Sequence, residues 1–432
     1  MNRPTIGITI FEEPLLRTYV SSSNGLFFSR LSKDFNVVIF TSSRLNSIIS
    51  RNLNKYKIKN VEICVVTKSK ESLANRFFTS PLRWSLKSST VHLKIKRKHK
   101  VYLNFPYLCF QLFSKSKRFQ HIFRFALNKT IPTQRLLALF SSKPKHIDLL
   151  FVTALSGDFE EFLVSLYFRR QKTYIIGTVR SWDNLTSHGY FYLVPDLFLS
   201  HSPWMSFAAI NYQGIAKEQI INWGNPAYSR LSGFDNKNIR AKNRQGALRV
   251  CYASMAGNNK DDTNFINWLW SVKKTIPLNI DFTVLSHPKF SVNKDLVPGE
   301  IEIKCFEFTS STLQQYYEFL ADQHVVLCGG TSVVLDCAYT KTPILLINFE
   351  IQPQPFWFSA LRYFDTIVHS KELFSTFDYK YIKSQEQLIN FLKKESIDVL
   401  SNDNYEVFIG NYNEDFISKN LFESVLKSLK QF

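Results

Sequence analysis

The chain is 432 residues long, 45% hydrophobic and 21% charged, with 54 Lys and Arg against 35 Asp and Glu, a formal charge of +19. This length gives two or three domains with cores of their own, and this composition excludes a chain that is disordered overall. The longest uncharged apolar stretch, residues 101–114, contains Asn104 and Pro106 and is too short to span a bilayer.

Residues 5–10 predict a strand, 25–33 a helix, and 36–41 and 61–66 two further strands, the alternation of a parallel α/β sheet. Glu12 and Glu13 follow the first strand, either as a helix-start carboxylate pair or as acceptor-side candidates for a general base. The alternation then stops. Between Glu71 and Asp148 there is no acidic residue, and the 76 intervening residues carry 16 Lys or Arg, including Lys94, Lys96, Arg97, Lys98 and Lys100. Helices are predicted around 81–86 and 115–140, and aromatic residues such as Phe77, Phe78, Trp84 and Tyr102 flank the basic cluster. A basic, aromatic segment over 72–147 suits the anionic face of a cytoplasmic membrane. A solvated basic face and a nucleic-acid-binding one have the same composition, but no zinc-finger spacing, RNP-like motif or helix-turn-helix pattern accompanies it, so nucleic acid is not an expected partner.

The alternation resumes with a strand over 147–153, a helix over 159–168, strands over 173–179 and 193–200, a helix over 204–212 and the turn Trp223-Gly224-Asn225-Pro226. Residues 233–245 are polar and rich in Gly, Asn and Lys, and read as a linker with a domain boundary near 235. The second half restarts with a strand over 248–253, a loop bearing Ser254 and Gly257, a helix over 263–274 and a strand over 280–285. A strand near 300–307, a helix over 311–321, a strand over 324–328, a helix over 333–340 and a strand over 344–348 follow. The expected organisation is an N-terminal α/β domain, 1–235, carrying the basic helical insertion 72–147; a second α/β domain, 236–405; and a terminal helix, 406–432.

Two loops carry most of the chemistry. Gly329-Gly330-Thr331-Ser332 lies between an apolar strand and a helix, where unpaired backbone N–H groups and two hydroxyls form a site for a phosphate oxygen. Gly-Gly also makes plain strand-to-helix turns, with Ser or Thr as cap. Upstream, Ser286-His287-Pro288-Lys289 brings an imidazole and an ammonium to a strand's carboxyl end, where they can meet the charge building on a departing phosphate. Ser254 and Gly257 stand after the first strand of the same domain. In the first domain, residues 180–189 gather Arg180, Trp182, Asp183, Asn184 and Thr186 after a strand, the place where open α/β sheets bind ligands. Asp183 is the candidate general base and Trp182 a stacking platform, although Asp183 and Asn184 also suit turn capping. Asp261 and Asp262 are adjacent rather than spaced, so no divalent metal is expected.

Taken in order, Gly224-Asn225-Pro226, Ser286-His287-Pro288, Gly329-Gly330-Thr331-Ser332 with Asp336 one turn on, and Lys341-Thr342-Pro343-Ile344, the chain resembles bacterial GT-B enzymes over roughly 170–350. The pattern is most similar to the His-Pro and Ser/Thr-Ser loops of transferases that use cytidine-nucleotide donors, among them sialyl and Kdo transferases and CDP-glycerol glycerophosphotransferases. The resemblance implies two Rossmann-like domains facing each other across a cleft, with the donor bound by the second and the acceptor by the first. It places His287 at the donor phosphate, Thr331 and Ser332 on it from the helix N-terminus, and Asp336 near the ribose. Thr340-Lys341-Thr342-Pro343 departs from the usual Gly-Lys-Pro, and the glycerophosphotransferases' His-Gly-Thr loop is replaced by Arg180-Ser181-Trp182-Asp183-Asn184.

The function that follows is a metal-independent glycosyltransferase acting on a lipid-linked bacterial surface glycan, with a nucleotide sugar, CMP- or CDP-linked by the resemblance, as co-substrate and no other cofactor. A CDP-polyol phosphotransferase and a non-catalytic nucleic-acid-binding protein are the alternatives. Six scattered cysteines without a Cys-x-x-Cys pair, and a start that runs from Met1-Asn2-Arg3-Pro4 into a strand, place it in the cytoplasm at the inner membrane face.

Overall fold

The computed structural model describes residues 3–21, 26–69, 71–86, 88–99, 117–156, 159–226, 228, 246–255, 259–276, 279–288, 290–306, 310–355, 359, 361–376, 380–393 and 406–410. The chain divides into two units, Met1–Ser232 with Val407–Phe432, and Gly233–Glu406.

Seven strands form the first unit's sheet: β1 (Thr5–Ile10), β2 (Asn36–Ser42), β3 (Val61–Val66), β4 (Leu149–Val152), β5 (Tyr174–Gly177), β6 (Leu197–Ser200) and β7 (Ile220–Asn222), in the order β3-β2-β1-β4-β5-β6-β7. All neighbours run parallel, with Ile8 opposite both Ile39 and Phe151. Every residue of β4 is buried, because helices cover both faces and a central parallel strand then has no polar side. One face packs Ile8, Ile39 and Phe151 against Tyr19 and Trp223. The other packs Phe40, Val152 and Phe168 against Leu82, Leu86, Leu127 and Ile131.

Those last four come from the basic stretch between β3 and β4. The helices preceding it are α1 (Glu13–Leu16), α2 (Leu26–Asp34) and α3 (Ser43–Lys55). The stretch itself forms α4 (Leu73–Trp84), α5 (Ser89–His99), α6 (Lys117–Thr130) and α7 (Thr133–Leu137). Its apolar side chains therefore complete a core while cations such as Arg76, Arg118 and Lys129 stay exposed. The next helix, α8 (Phe159–Arg170), has Glu160 and Glu161 in its first turn and Arg169 and Arg170 in its last, matching the helix dipole. Arg170 donates to the carbonyls of Asn128 and Ile131 and so ties α8 to the α6–α7 corner.

The expected strand over 193–200 shortens to β6, because the Asp196 carboxylate accepts from the Ile175 N–H (2.8 Å) and pairs with Arg169 (2.6 Å), which holds the preceding residues as a turn. A short helix, α9 (Asn184–Ser187), occupies the expected 180–189 loop, and the helix expected over 204–212 is α10 (Pro203–Ala208) followed by a wide turn, Ala209–Gln213.

The second unit holds β8 (Leu248–Ala253), β9 (Ile280–Leu285), β10 (Glu302–Lys304), β11 (Val325–Cys328), β12 (Ile344–Ile347) and β13 (Lys380–Ile382), all parallel, in the order β10-β9-β8-β11-β12-β13. Its main helices include α11 (Asn259–Lys273), α12 (Ser310–Asp322) and α13 (Val333–Thr340). The core gathers Val250, Phe282, Val284, Leu327 and Leu345 with Phe265, Leu269 and Leu388. Among the described residues no helix is long and apolar enough to cross a membrane.

Candidate active site

In each unit the strand order reverses at one point: between β1 and β4 in the first and between β8 and β11 in the second. The crevice outside the carboxyl ends of strands at such a point is where open α/β sheets bind ligands.

In the second unit three consecutive strands deliver the expected donor residues. Ser254, just after β8, accepts a hydrogen bond on Oγ from the His287 backbone N–H (2.9 Å), so its hydroxyl fixes the turn that carries the imidazole after β9. His287 is half-buried, with its ring 5.4 Å from that of Phe290, and Pro288 is exposed beside it. After β11, Gly330 has φ +96, a conformation that glycine adopts without strain, and a Cβ there would crowd Tyr363 and Phe374. Thr331 follows with its Oγ1 buried and without a hydrogen-bond partner, and Ser332, exposed, stands at the N-cap of α13 with no side-chain cap bond. Lys289 and Gly257 lie outside the described residues.

Two details alter the expected chemistry. The N–H groups of Gly330 and Thr331 turn back toward the Cys328 thiol, which burial nevertheless pushes up to about 11. The Gly330 and Thr331 amides are thus turned inside the loop, and the Thr331 hydroxyl is a buried polar group without a partner. Asp336, expected near a ribose, accepts on its two oxygens from the hydroxyls of Tyr316 (2.8 Å) and Tyr317 (3.0 Å) and joins α12 to α13. A carboxylate that sequence reasoning missed stands nearer: Glu350, after β12, has Oε2 accepting from the Gln354 N–H (3.1 Å) and Oε1 buried without a partner. It lines a small cavity, about 10 Å³, with Tyr252, Asp261 and Gly329, over which the Met255 thioether is packed. The signal was an acid just past a strand's carboxyl end. Beside this cavity Asp262 is raised to about 7 by burial, although the Met255 N–H and the Tyr252 hydroxyl both donate to it.

In the first unit, Glu12 after β1 forms an ion pair with Arg180 after β5, across the end of β4. Glu13 opens α1 and is exposed. Asp183 N-caps α9 and accepts on Oδ2 from Ser187 Oγ (3.0 Å). Asn184 and Thr186 are buried and serve the turn: Asn184 Oδ1 accepts from the Ser181 N–H (3.1 Å), and Thr186 Oγ1 donates to the Asp183 carbonyl (3.1 Å). The Trp182 ring sits 5.6 Å from that of Trp204 and 6.0 Å from that of Phe408, so this expected sugar platform is part of an aromatic cluster that holds the segment near 408 to the first unit.

Sequence reasoning passed over the residue that faces open space. A cavity of about 310 Å³ lies over the ends of β4 and β5, lined by Arg83, Lys94, Ser156, His188, Tyr190 and Tyr192 among others. His188 Nδ1 lies 3.2 Å from the Ser156 carbonyl, which only accepts, so Nδ1 carries the proton and Nε2 keeps a lone pair in the neutral ring. Burial first, then the Lys94 and Arg180 charges, lowers the His188 pKa, while Asp183 opposes them. The backbone on both sides of His188 is held by a buried amide: Gln213 Nε2 donates to the carbonyls of Leu185 (2.8 Å) and Gly189 (2.9 Å). Gly189, with φ +89, passes so close to the Arg83 backbone that a Cβ would lie 2.5 Å from its Cα. The described residues contain no cluster of His, Cys, Asp and Glu suited to a metal ion.

No protein-family model matches this sequence, and neither does any curated protein. Solved structures do match in shape. A putative UDP-N-acetylglucosamine 2-epimerase from Listeria monocytogenes superposes with a TM-score of 0.51 at 11% identity, covering 100% of this chain and 98% of its own. A UDP-GlcNAc 2-epimerase from Neisseria meningitidis, bound to UDP-GlcNAc, gives 0.51 at 11% identity over 98% and 100%. A glycotransferase of kitacinnamycin gives 0.52 at 9% identity over 99% and 100%. The chain has the GT-B fold. Its match runs essentially end to end in each case, so both parallel-sheet units belong to that architecture.

Proposed function

We propose that this GT-B protein is a glycosyltransferase that moves a sugar from a nucleotide donor to a hydroxyl of a glycan or lipid-linked acceptor at the inner face of the cytoplasmic membrane. The observation that carries the reading is the buried, unpartnered Thr331 hydroxyl at the start of α13, in the same row of strand ends as His287. In this reading Thr331 and Ser332 donate to the donor's phosphate oxygens, His287 meets the charge on the leaving nucleotide, and Glu350 accepts from ribose hydroxyls. On the acceptor side, His188 Nε2 takes the hydroxyl proton. The freed oxygen bonds to the anomeric carbon, the bond from that carbon to the phosphate oxygen breaks, and the nucleotide leaves. Asp183 steadies the imidazolium that results. The GT-B neighbours named for UDP-GlcNAc favour a uridine nucleotide, and the His-Pro and Thr-Ser loops favour a cytidine one.

The membrane part of the proposal draws on four exposed apolar side chains. Leu73 and Phe77 on α4 are 84% and 67% exposed, and Ile122 and Phe125 on α6 are 60% and 58% exposed, with Arg76, Arg118 and Lys129 exposed on the same helices. Phe78 of α4 packs 6.3 Å from Phe123 of α6, so the two helices lie side by side and present apolar and cationic groups together.

The deciding experiment is a thermal-shift panel of UDP, CMP, CDP and dTDP, followed by NMR of the matching nucleotide sugar with and without a polyprenyl-phosphate glycan. One nucleotide should stabilise the protein, and nucleotide release should require acceptor. If no nucleotide or nucleotide sugar binds, the reading fails. The epimerases among the structural neighbours favour one second reading, sugar epimerisation, which would convert the donor in the absence of any acceptor.

A further inference from the structure

Arg83 and Lys94 both come from the acid-free stretch between β3 and β4, yet both reach the cavity over the ends of β4 and β5. We infer that this cavity binds an anionic group of the acceptor, a phosphate, diphosphate or sugar carboxylate. The inference rests on reading this cavity as the acceptor side of the proposed transferase.

The chemistry of the lining supports an anion over a neutral sugar. Its charged members are a guanidinium and an ammonium, which only donate, joined by hydroxyls and an imidazole whose Nδ1 already donates to a carbonyl. Among the described residues no carboxylate lines it. Two described acids touch its lining residues: Glu71 sits 3.9 Å from Arg83 Nη2, and Asp183 accepts from the Ser187 hydroxyl. Each cation is aimed by a neighbour. The Arg83 Nε donates to the Tyr192 hydroxyl, with the guanidinium over the Tyr192 ring (5.5 Å), and Lys94 Nζ donates one hydrogen to the Ser187 carbonyl (3.0 Å). Desolvation by the surrounding protein lowers the Lys94 pKa, and the Asp183 charge raises it. The volume, about 310 Å³, accepts a diphosphate or a uronate. Arg83 supplies a fork matched to such groups, and Lys94 a point charge.

Lys94 itself reports the test. Trace acetylation of the full chain with acetic anhydride, read by mass spectrometry, gives its labelling rate with no probe, with inorganic pyrophosphate, with methyl glucuronide and with methyl glucoside, all at one ionic strength. Pyrophosphate or the glucuronide should slow Lys94 by about tenfold near ten times its Kd, leave exposed Lys172 unchanged, and lose that effect in Arg83→Gln. Protection by pyrophosphate alone assigns the anion to a phosphate, and by the glucuronide alone to a carboxylate. If neither anion protects Lys94 beyond sodium chloride, or the neutral glucoside protects it equally, the inference is overturned. Nucleotide binding to Thr331→Val is measured in parallel, so loss of the transferase reading and loss of the anion site show up in different assays.

Discussion

Replacing Thr331 by Val separates the donor loop's function from its fold, because the two respond with opposite signs. The Thr331 Oγ1 is buried without a partner, so the free protein carries a desolvated hydroxyl that costs about 1–3 kcal/mol. Valine keeps the branched shape and removes that cost. A gain of about 1 kcal/mol corresponds to a rise in Tm of about 2–4 °C for a unit of this size. If the hydroxyl donates to a charged phosphate oxygen, the same change removes about 1.5–3 kcal/mol of binding, roughly 10- to 150-fold in Kd. Differential scanning fluorimetry of the free protein and calorimetry with the nucleotide selected by the thermal-shift panel measure the two effects, and Thr331→Ser should restore binding. A Thr331→Val protein that melts lower and binds the nucleotide as tightly as the parent would show that the hydroxyl serves the fold, and the phosphate assignment would be withdrawn.

With neutral His188 as the proposed base and its pKa lowered from 6.5, activity should fall on the acid side with an inflection below that value; Asp183→Asn, which removes the charge that raises it, should move the inflection lower, and Lys94→Met should move it higher. The pH profile of kcat/KM reads all three. Lys341 sits at φ +54, a left-handed conformation that glycine adopts without strain, so Lys341→Gly should stabilise: relief of about 1–2 kcal/mol of left-handed strain, less about 0.5–1 for glycine's freedom in the unfolded chain, leaves about 1 kcal/mol in a thermal melt. Phe77→Ser with Phe125→Ser should weaken sedimentation with phosphatidylglycerol vesicles by tenfold or more, since each exposed ring contributes up to about 1.5–3 kcal/mol when buried.

What the sequence made legible follows from what each element touches. Central parallel strands such as β4, β11 and β12 are buried on both faces and so appear as unbroken apolar runs. The short strands β7 and β13, three residues each, carry too little pattern to stand out. Helix α3 went unread although Leu45, Ile49 and Leu53 recur every four residues, because Asn, Ser and Arg fill most of the other positions. The loops after β9 and β11 were found from glycine and His-Pro chemistry, but the tyrosine partners of Asp336 and the cavity that Glu350 shares with Tyr252 and Asp261 depend on contacts between distant segments. The same holds in the first unit, where Lys94 and Ser187 meet across 93 positions of sequence. Net charge marked the basic stretch as special, while its core-facing Leu82 and Leu127 gave no sign in composition of where they would pack.

That stretch explains why its charge is asymmetric instead of spread over the chain. On α4, Phe77 and Arg83 are six residues apart, which places them about 120° from each other around the helix axis, with Asn75, Thr79 and Leu82 buried against the body. One helix thus offers an apolar ring to the outside and a guanidinium to the cavity. The proposed lipid-linked acceptor would use both: a surface that holds the protein at the bilayer, and a donor-rich pocket for the anionic group near the reacting sugar. The two roles separate cleanly. Phe77→Ser should release the protein from anionic vesicles while pyrophosphate still protects Lys94 from acetylation, and Arg83→Gln should do the reverse. If both variants lose both properties together, the two faces are not independent, and α4 is a structural support whose loss disturbs everything packed on it.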